Sequence, residues 1–325
     1  MTIGITMGDP KGIGPEIIAK AWRALTDEER DDIVIYGDLT VLNAAADLTQ
    51  TVFNHKQLVI TSSTMPPAQK VDNDEAARIA ISAIDAATSD AASGKIAAIV
   101  TAPVNKHRMR SAKPGFTGHT EYLAKIAHVR DVVMMFAPED YSSVDIKGIK
   151  RACFSLVTTH LPISEVPAAI TTDRVLATVR QTHHAMVNFF ACPDARIAVM
   201  SLNPHAGESG AMGSEEKSAI TPAIQRASKE GINCFGPLAA DSLFRNMSDF
   251  DYDAVVAMYH DQGLLPAKLL CGCGCVNMTL GLPYLRTSPG HGTAEDIAWL
   301  GTADEAGMLS SIRLARRLVG WKLRT

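Results

Sequence analysis

Short apolar runs rich in β-branched residues alternate with longer amphipathic stretches throughout this chain of 325 residues. Alternation of this kind is typical of βαβ units, in which helices connect the strands of a largely parallel sheet. The pattern therefore predicts an α/β protein. The predicted strands are Ile3–Met7, Ile33–Tyr36, Ile96–Thr101, Val132–Ala137, Ala152–Thr158, Ile197–Leu202 and Ala254–Tyr259. The predicted helices are Pro15–Leu25, Asp74–Ala92, Glu121–Ala127, Asp173–Phe190, Glu215–Lys229 and Asp304–Trp321.

Length and composition restrict the class of protein further. At about 150 residues per domain, the chain forms two domains or one large α/β unit. A hydrophobic fraction of 46% and a charged fraction of 20% exclude disordered, collagenous and disulfide-scaffold chains. A net charge of -4 without a basic block argues against a nucleic-acid partner. No apolar run approaches the ~18 residues of a membrane helix and no signal peptide is visible, so we expect a cytoplasmic protein without membrane contact.

Six cysteines in a chain of this length do not form a disulfide framework and fit a reducing compartment. Three of them alternate with glycine at Cys271, Cys273 and Cys275. On a strand, their thiols would share one face and offer ligands to a soft metal. A spacing of one residue is unusual for zinc, however, and the glycines favour a loop. The role of the three thiols stays open.

A glycine-containing loop, GDPKGIGPE at Gly8–Glu16, follows the first predicted strand and opens the first predicted helix. Backbone N–H groups in such a loop can bind a phosphate or a carboxylate. Asp38 follows the next strand at the distance typical of a dinucleotide-binding fingerprint. The third glycine of that fingerprint would fall at Ile17, so the fingerprint fails. A tight strand-to-helix turn without a ligand is the alternative.

Three histidines share one position relative to the predicted strands. His160, His205 and His260 each lie just past the end of an apolar run. In open α/β sheets the carboxyl ends of the strands line the ligand crevice, so three histidines placed alike predict a shared metal site. Neutral imidazoles suit Zn²⁺, Co²⁺ or Ni²⁺ better than Mg²⁺, and three of them with an open position would form a catalytic centre. Asp241 and Asp261 are candidates for supporting these ligands or transferring protons.

Further residues predict an anion site. His119 and Thr120 lie at a predicted helix start, where Thr120 is a suitable N-cap. Lys268, Asn277 and Arg286 follow the His260 segment in sequence that looks like a loop. Lysine, arginine and a helix N-terminus together supply the charge and the N–H donors that a phosphate requires. Each residue taken singly also fits a solvated surface position.

The segment Pro289–Ala298 contains small residues around His291. They would let the chain approach a flat ligand such as an adenine ring. From the residues alone, a turn followed by a helix start is the preferred interpretation.

These motifs occur in an order that resembles the 4-hydroxythreonine-4-phosphate dehydrogenase family of vitamin B6 synthesis. Nine segments carry the resemblance: GDPKGIGPE, TAPVNK, FTGHTEYLA, TTHLPI, LNPHAGE, GPLAADSLF, YHDQGLLPAK, VNMTLGLPYLRTS and HGTAEDIA. The last is also similar to the adenosine-binding segment of isopropylmalate and isocitrate dehydrogenases. The resemblance implies their two-domain α/β fold, with largely parallel sheets, an active-site cleft between the domains and a homodimer. The implied domains are 1–128 with 290–325, carrying the cofactor-side loops, and 129–289, carrying the metal ligands and the dimer contacts.

The resemblance also implies roles for individual residues. His160, His205 and His260 would be the ligands of a divalent metal, with the site completed across the dimer. Zinc is the first choice of metal, and cobalt or magnesium are alternatives. His119, Thr120, Lys268, Asn277 and Arg286 would bind a small phosphorylated hydroxy acid. His291, Gly292, Thr293 and Ala294 would lie against NAD or NADP, which overturns the interpretation of this segment from its residues alone.

The implied reaction is the oxidative decarboxylation of 4-phosphooxy-L-threonine to 3-amino-2-oxopropyl phosphate. Asp241, Asp261 or Lys268 would handle the proton, and the residues do not decide among them. Lys11, Gly290 and the Cys271–Cys275 run depart from the family pattern. The alternative substrates are therefore 4-phospho-D-erythronate and 4-phospho-D-threonate, whereas an aromatic dihydrodiol is disfavoured because the phosphate-binding residues are kept. A phosphate-ligand sensor without catalytic activity is the alternative outside enzymes.

Overall fold

The computed structural model describes residues 1–63, 70–141, 152–245 and 250–322, and within these ranges the chain alternates strands with helices. The strands are β1 (Ile3–Thr6), β2 (Ile33–Asp38), β3 (Leu58–Ser62), β4 (Ala98–Thr101), β5 (Val133–Pro138), β6 (Cys153–Leu156), β7 (Ile197–Met200), β8 (Cys234–Leu238), β9 (Ala254–Ala257), β10 (Cys275–Leu280) and β11 (Leu285–Pro289). The helices are α1 (Gly14–Ala24), α2 (Asp27–Asp31), α3 (Leu39–Thr49), α4 (Asn73–Ala92), α5 (Lys106–Ala112), α6 (His119–Ile126), α7 (Val166–Ala169), α8 (Thr172–Asn188), α9 (Thr221–Lys229), α10 (Ala240–Leu243), α11 (His260–Cys271) and α12 (Ala306–Lys322). None of the helices in these ranges is both long and apolar enough to cross a membrane.

The chain forms two compact units. Among the described residues, the first contains Met1–Arg130 and 282–322, and the second contains Asp131–Gly281. The sheet of the first unit has the strand order β3-β2-β1-β4-β11, and every neighbouring pair is parallel. All four residues of β1 and of β4 are buried, as the apolar sequence of a central parallel strand predicts. Loops at the carboxyl ends of β1, β4 and β11 therefore start from a rigid base.

The sheet of the second unit has the strand order β10-β5-β6-β9-β7-β8. The pairs β6–β9, β9–β7 and β7–β8 are parallel, whereas β5 runs antiparallel to both β10 and β6. A buried cluster that includes Phe136, Phe154, Met200 and Val255 covers one face of this sheet. The three parallel strands β6, β9 and β7 are neighbours, and this adjacency matters for the histidines that follow them.

The predicted fold class, an α/β chain with largely parallel sheets, is confirmed. All seven predicted strands are present, and four further strands, β3, β8, β10 and β11, were not predicted. The units differ from the predicted domains at both boundaries: the first unit extends to Arg130 instead of residue 128, and it resumes at Leu282 instead of residue 290. Strand β11 pairs with β4, with Arg286 opposite Ile99, so residues 282–289 belong to the first unit instead of the predicted central domain 129–289. Residues 323–325, the end of the predicted domain 290–325, lie outside the described residues.

Candidate active site

The glycine loop after β1 contacts the segment that follows β11. The N–H of Ile13 donates a hydrogen bond to the carbonyl oxygen of Thr293 at 2.9 Å. A Cβ atom added to Gly12 would lie 2.9 Å from the Cβ of Thr293, which is too close for a real side chain. The indole Nε1 of Trp299 donates to the carbonyl of Pro10 at 2.9 Å. The loop and this segment therefore form one continuous surface of the first unit.

The predicted cofactor segment is open. His291 and Gly292 are exposed, whereas Thr293 and Ala294 are half-buried. A Cβ atom added to Gly292 would meet no other atom within 4 Å. Ala294 has a φ of +41°, in the left-handed region that side chains with a Cβ rarely adopt. An open stretch of small residues fits a flat ligand, and its use by NAD or NADP stays a prediction.

Arg286 supplies a buried positive charge in the first unit. It lies in β11, where its side chain is 3% exposed. Its Nε and Nη2 atoms donate hydrogen bonds to Oγ1 of Thr101 at 3.1 and 2.7 Å. Burial lowers the pKa of Arg286 to about 10, so the guanidinium remains charged at neutral pH. The prediction that Lys268, Asn277 and Arg286 lie in a loop is wrong, because they lie in α11, β10 and β11.

His119 is the first residue of α6. Its Nε2 atom is buried and has no hydrogen-bond partner among the described residues. Burial, followed by the positive charges of Arg286 and Lys106, lowers the pKa of His119 well below its usual value. The imidazole is therefore neutral and faces a cationic environment, an arrangement that a bound anion would complete.

The start of α6 differs in one detail from the prediction. Gly118 is the N-cap and Thr120 is the second residue of the helix, so the predicted N-cap role of Thr120 is wrong. Lys106 at the start of α5 is a further cation near His119. Sequence reasoning did not select Lys106. The signal was present, however, because its motif TAPVNK lies at the end of a predicted strand, where site residues are expected.

The three predicted metal ligands follow three neighbouring strands. His160 comes after β6, His260 after β9 and His205 after β7. Because these strands are parallel, the three histidines leave the same end of the sheet. The rings of His160 and His260 lie 5.5 Å apart between centroids, with an angle of 39° between their planes. Within the second unit, two of the three predicted ligands therefore lie side by side.

His260 has the orientation of a metal ligand. Its Nδ1 donates a hydrogen bond to Oδ1 of Asp261 at 2.7 Å, since a carboxylate can only accept. This bond leaves the lone pair of the neutral ring on Nε2. A carboxylate that holds the remote nitrogen of a histidine is a common support for metal binding. The prediction that Asp261 supports the ligands rests on this contact.

His205 lies in an unusual backbone conformation. His205, Ala206, Gly207, Glu208 and Ser209 have consecutive φ values between +42° and +76°. A left-handed turn costs roughly 1–2 kcal/mol per residue that carries a Cβ, so the surrounding structure must hold it.

A neighbouring carboxylate holds this turn. The buried Glu216 accepts hydrogen bonds from the N–H groups of Leu202 and Asn203 at 3.0 and 2.8 Å. A Cβ added to Gly207 would lie 2.7 Å from Oε2 of the same carboxylate. Sequence reasoning did not identify Glu216, because its role depends on a loop geometry that no sequence pattern reveals.

Two imidazoles alone do not complete a metal centre. Across residues 1–63, 70–141, 152–245 and 250–322, no three His, Cys, Asp or Glu side chains lie close enough together to hold an ion. The paired imidazoles of His160 and His260 fit a metal that prefers nitrogen ligands, such as zinc. A third protein ligand would be a residue other than these two. The three-histidine centre therefore stays a prediction.

The remaining predicted residues lie in the second unit. Asp241 is exposed in α10 and Lys268 is exposed in α11. Asn277 is half-buried in β10, and its Oδ1 is sealed from water without a partner among the described residues. A hydrogen bond from Cys271 lowers the pKa of the Cys275 thiol, and the charge of Lys268 adds to this against the effect of burial. Gly272–Gly274 forms a short turn before β10, as the glycines favoured.

Comparison with known proteins identifies the family. The family model described as pyridoxal phosphate biosynthetic protein PdxA matches residues 29–315. The 4-hydroxythreonine-4-phosphate dehydrogenase of Desulforapulum autotrophicum is 39% identical over 343 aligned positions, covering 96% of this chain and 94% of the relative. A Cutibacterium acnes protein provisionally named D-threonate 4-phosphate dehydrogenase is 35% identical, covering 96% of this chain and 92% of the relative. The 4-hydroxythreonine-4-phosphate dehydrogenase structure from Klebsiella pneumoniae has a TM-score of 0.82 at 34% identity, covering 98% and 99% of the two chains.

The fold defines an α/β protein of the architecture seen in the Klebsiella pneumoniae dehydrogenase. Together with the sequence match over most of its length, this shows that the chain belongs to the PdxA family of pyridoxal phosphate biosynthetic proteins. The family resemblance predicted from the nine motifs is confirmed.

Proposed function

We propose that this chain is a metal-dependent NAD(P) dehydrogenase that oxidises and decarboxylates 4-phosphooxy-L-threonine to 3-amino-2-oxopropyl phosphate in pyridoxal phosphate synthesis. It would act as a cytoplasmic homodimer. The observation that carries the proposal is the cationic cluster of the first unit, in which buried Arg286 lies near His119. The Nε2 atom of His119 is buried and has no partner among the described residues. Relatives named for this activity match nearly the whole chain, which supports the choice of substrate.

The cationic cluster would bind the phosphate group. A buried guanidinium attracts a phosphate more strongly than an exposed one, because water screens its charge less. The neutral ring of His119 can donate from Nε2 to a phosphate oxygen, which would satisfy the buried atom. Thr120 at the same helix start is a further proposed substrate contact. Within the second unit, Lys268 and Asn277 are proposed as substrate-binding residues on the family resemblance. The unsatisfied Oδ1 of Asn277 would accept a donor group of the substrate.

His160, His205 and His260 would hold a divalent metal, with zinc as the first choice. Such an ion would supply Lewis-acid polarisation of the substrate hydroxyl, and NAD or NADP held by His291–Ala294 would supply the hydride acceptor. The carboxylate of Asp261 binds Nδ1 of His260, so Nε2 of that ring would be the atom that binds the metal. Asp241, Asp261 and Lys268 are the groups proposed to take up or return a proton, and all three are exposed enough to exchange it with water.

A second candidate function is the oxidation of a phosphorylated sugar acid such as 4-phospho-D-threonate or 4-phospho-D-erythronate. The observation that favours it is the 35% identity with the Cutibacterium acnes relative of that provisional name. The residues that would bind a phosphate are the same for both substrates. A preference for one substrate over the other would arise around Lys11 and Gly290. These two residues depart from the family pattern, and they lie next to the proposed cofactor segment.

The test measures NADH or NADPH formation by metal-loaded protein with 4-phosphooxy-L-threonine and 4-phospho-D-erythronate in parallel. A chelator is added in a third series. We expect turnover of the threonine compound and its loss with the chelator. Faster turnover of the erythronate supports the second candidate. Binding of a phosphorylated compound without any reduced cofactor contradicts both and favours a sensor.

A further inference from the structure

A buried arginine joins the glycine loop to the segment that the proposed function places against the cofactor. Arg108 lies in α5 and is 8% exposed. Its Nη1 donates to the carboxylate of Asp9, and its Nη2 donates to Oε2 of Glu295 at 2.7 Å. Its Nε donates to Oδ1 of Asn73 at 3.1 Å. One guanidinium therefore binds a carboxylate of the glycine loop and a carboxylate of the segment after β11.

On the first side, Asp9 shapes the glycine loop. Its side chain is 1% exposed, and its Oδ1 accepts the N–H of Lys11 at 2.9 Å. Its Oδ2 accepts the N–H of Asn105 at 3.3 Å, and its own N–H donates to the carbonyl of Pro103 at 3.0 Å. The conformation of the loop thus depends on a buried carboxylate, and Arg108 is the cation that compensates this charge.

On the second side, Glu295 fixes the end of the predicted cofactor segment. Its Oε1 accepts from Nδ2 of Asn105 at 2.6 Å, while its Oε2 accepts from Arg108. Burial pushes the pKa of Glu295 upward, but the bonds from Arg108 and Asn105 outweigh burial and hold the pKa below its usual value. Its neighbour Ala294 is the residue with a left-handed φ of +41°. A strained residue of this kind persists only where its surroundings hold it, and Glu295 is such a support.

We propose that Arg108 is a positioning residue that fixes the glycine loop and the segment His291–Ala294 relative to each other for binding of the dinucleotide cofactor. The inference rests on the proposed function for the identity of the ligand. The charges explain why the position matters. A dinucleotide carries a negative pyrophosphate, and without Arg108 the carboxylates of Asp9 and Glu295 would be left uncompensated beside it.

Three variants separate positioning from general stability. Arg108→Met removes the charge and the bonds, and Arg108→Lys keeps the charge but cannot bridge two carboxylates in the same geometry. Arg110→Met is the matched control, because Arg110 lies on the same helix but is exposed, and its Nε donates to the carbonyl of Phe116. Dissociation constants for NAD⁺ and NADP⁺ are measured by titration calorimetry without substrate. Amide hydrogen exchange is followed over residues 8–14 and 291–299.

For Arg108→Met we expect cofactor affinity to fall at least about tenfold, and exchange to accelerate in both segments. The KM of the phosphorylated substrate at saturating cofactor should stay within about twofold of wild type, because the cationic cluster around Arg286 is retained. Arg108→Lys should recover part of the lost affinity. The inference is overturned by unchanged cofactor affinity, by equal losses for substrate and cofactor, or by the same loss in Arg110→Met.

Should Arg108→Met fail to fold, Glu295→Gln replaces it. This variant removes the charge of one partner while keeping its size, and we expect a smaller loss of cofactor affinity with faster exchange in 291–299. Unchanged affinity in Glu295→Gln overturns the inference. Wild-type protein that binds no dinucleotide contradicts the proposed function itself, whereas wild-type turnover with an unaffected Arg108 variant contradicts only the positioning role.

Discussion

Arg286 and His119 illustrate how burial determines the charge state of single side chains in the first unit. The guanidinium stays charged although burial lowers its pKa to about 10, while the imidazole is held neutral. Sequence reasoning selected both residues from their type and their neighbours. It could not select Lys106 or Thr101, because their relation to this pair depends on the packing of α5 and β4.

Replacing His119 should flatten the dependence of stability on pH. The pKa of His119 is lowered in the folded chain and ordinary, about 6.5, in the unfolded chain. The unfolded chain therefore binds a proton below pH 6.5 that the folded chain does not, and stability falls as pH decreases from about 6.5. Each pH unit in that window costs up to about 1.4 kcal/mol.

The measurement is urea unfolding of wild type and His119→Gln at pH 7.5 and 5.5. Phosphate-free buffer is required, because a bound anion would raise the pKa of His119. We expect the variant to lose about 1 kcal/mol less than wild type between the two pH values. His184→Gln, at an exposed position on α8, should keep the wild-type slope. Equal slopes in wild type and His119→Gln would contradict the assigned pKa direction.

Arg286→Lys should weaken binding of the phosphorylated substrate while leaving a positive charge in place. Lysine cannot reproduce the two bonds to Thr101 that orient the guanidinium. A charged hydrogen bond contributes about 1.5–3 kcal/mol, which corresponds to an increase in KM of about 10- to 100-fold. Steady-state kinetics with varied substrate and saturating cofactor test this. A KM within twofold of wild type would exclude Arg286 from the phosphate site.

At the scale of elements, most apolar strands could be predicted, with the edge strand β3 as an exception, whereas the strands β10 and β11 could not. The strands β10 and β11 contain Asn277 and Arg286 inside a buried sheet, so neither has the apolar run that marks a strand. Helix α11 was missed because it contains Gly263 and Pro266. A Cβ on Gly263 would lie 2.6 Å from Cδ2 of Leu156, so close packing against β6 requires this glycine. In these three elements, candidate site residues or close contacts replace ordinary sequence patterns.

The left-handed turn after β7 is an element whose integrity depends on Glu216. One carboxylate oxygen of Glu216 accepts from the N–H groups of Leu202 and Asn203, and the other accepts from Nδ2 of Asn203. Glu216→Gln keeps the size of the side chain, but its amide has only one accepting oxygen, so one of these two sets of bonds is lost. If His205 is a metal ligand, loss of this support should lower metal affinity by about 10- to 100-fold.

Cobalt titration followed by visible absorption measures this affinity directly and does not depend on turnover. Glu208→Gln is the control, since Glu208 is exposed in the same turn. Thermal unfolding of metal-free protein shows how much of the effect is structural. If metal affinity is unchanged in Glu216→Gln, the left-handed turn does not contribute to metal binding.

At the scale of the whole molecule, the sequence predicted a two-part chain in which the C-terminal segment returns to the first part. The structure places that return at Leu282, before β11, instead of at residue 290. Pairing of β11 with β4 decides this boundary, and such pairing between segments almost 200 residues apart leaves no local signal in the sequence. The order of the nine motifs predicted the family, because motifs are recognised in the sequence without any knowledge of which strands pair.

The number of chains that form one metal site can be tested with mixed dimers. His160 and His260 lie side by side, whereas no group of three potential ligands occurs within the described residues of one chain. In the proposed homodimer, His205 of a second copy would complete the site. A purified mixed dimer of His205→Ala and His160→Ala chains should then show about half of wild-type activity, because one of its two sites keeps all three histidines.

A mixed dimer of His160→Ala and His260→Ala chains should stay inactive, because each of its sites lacks one ligand. Inactivity of both mixed dimers, alongside an active wild-type dimer, would place all three ligands on one chain.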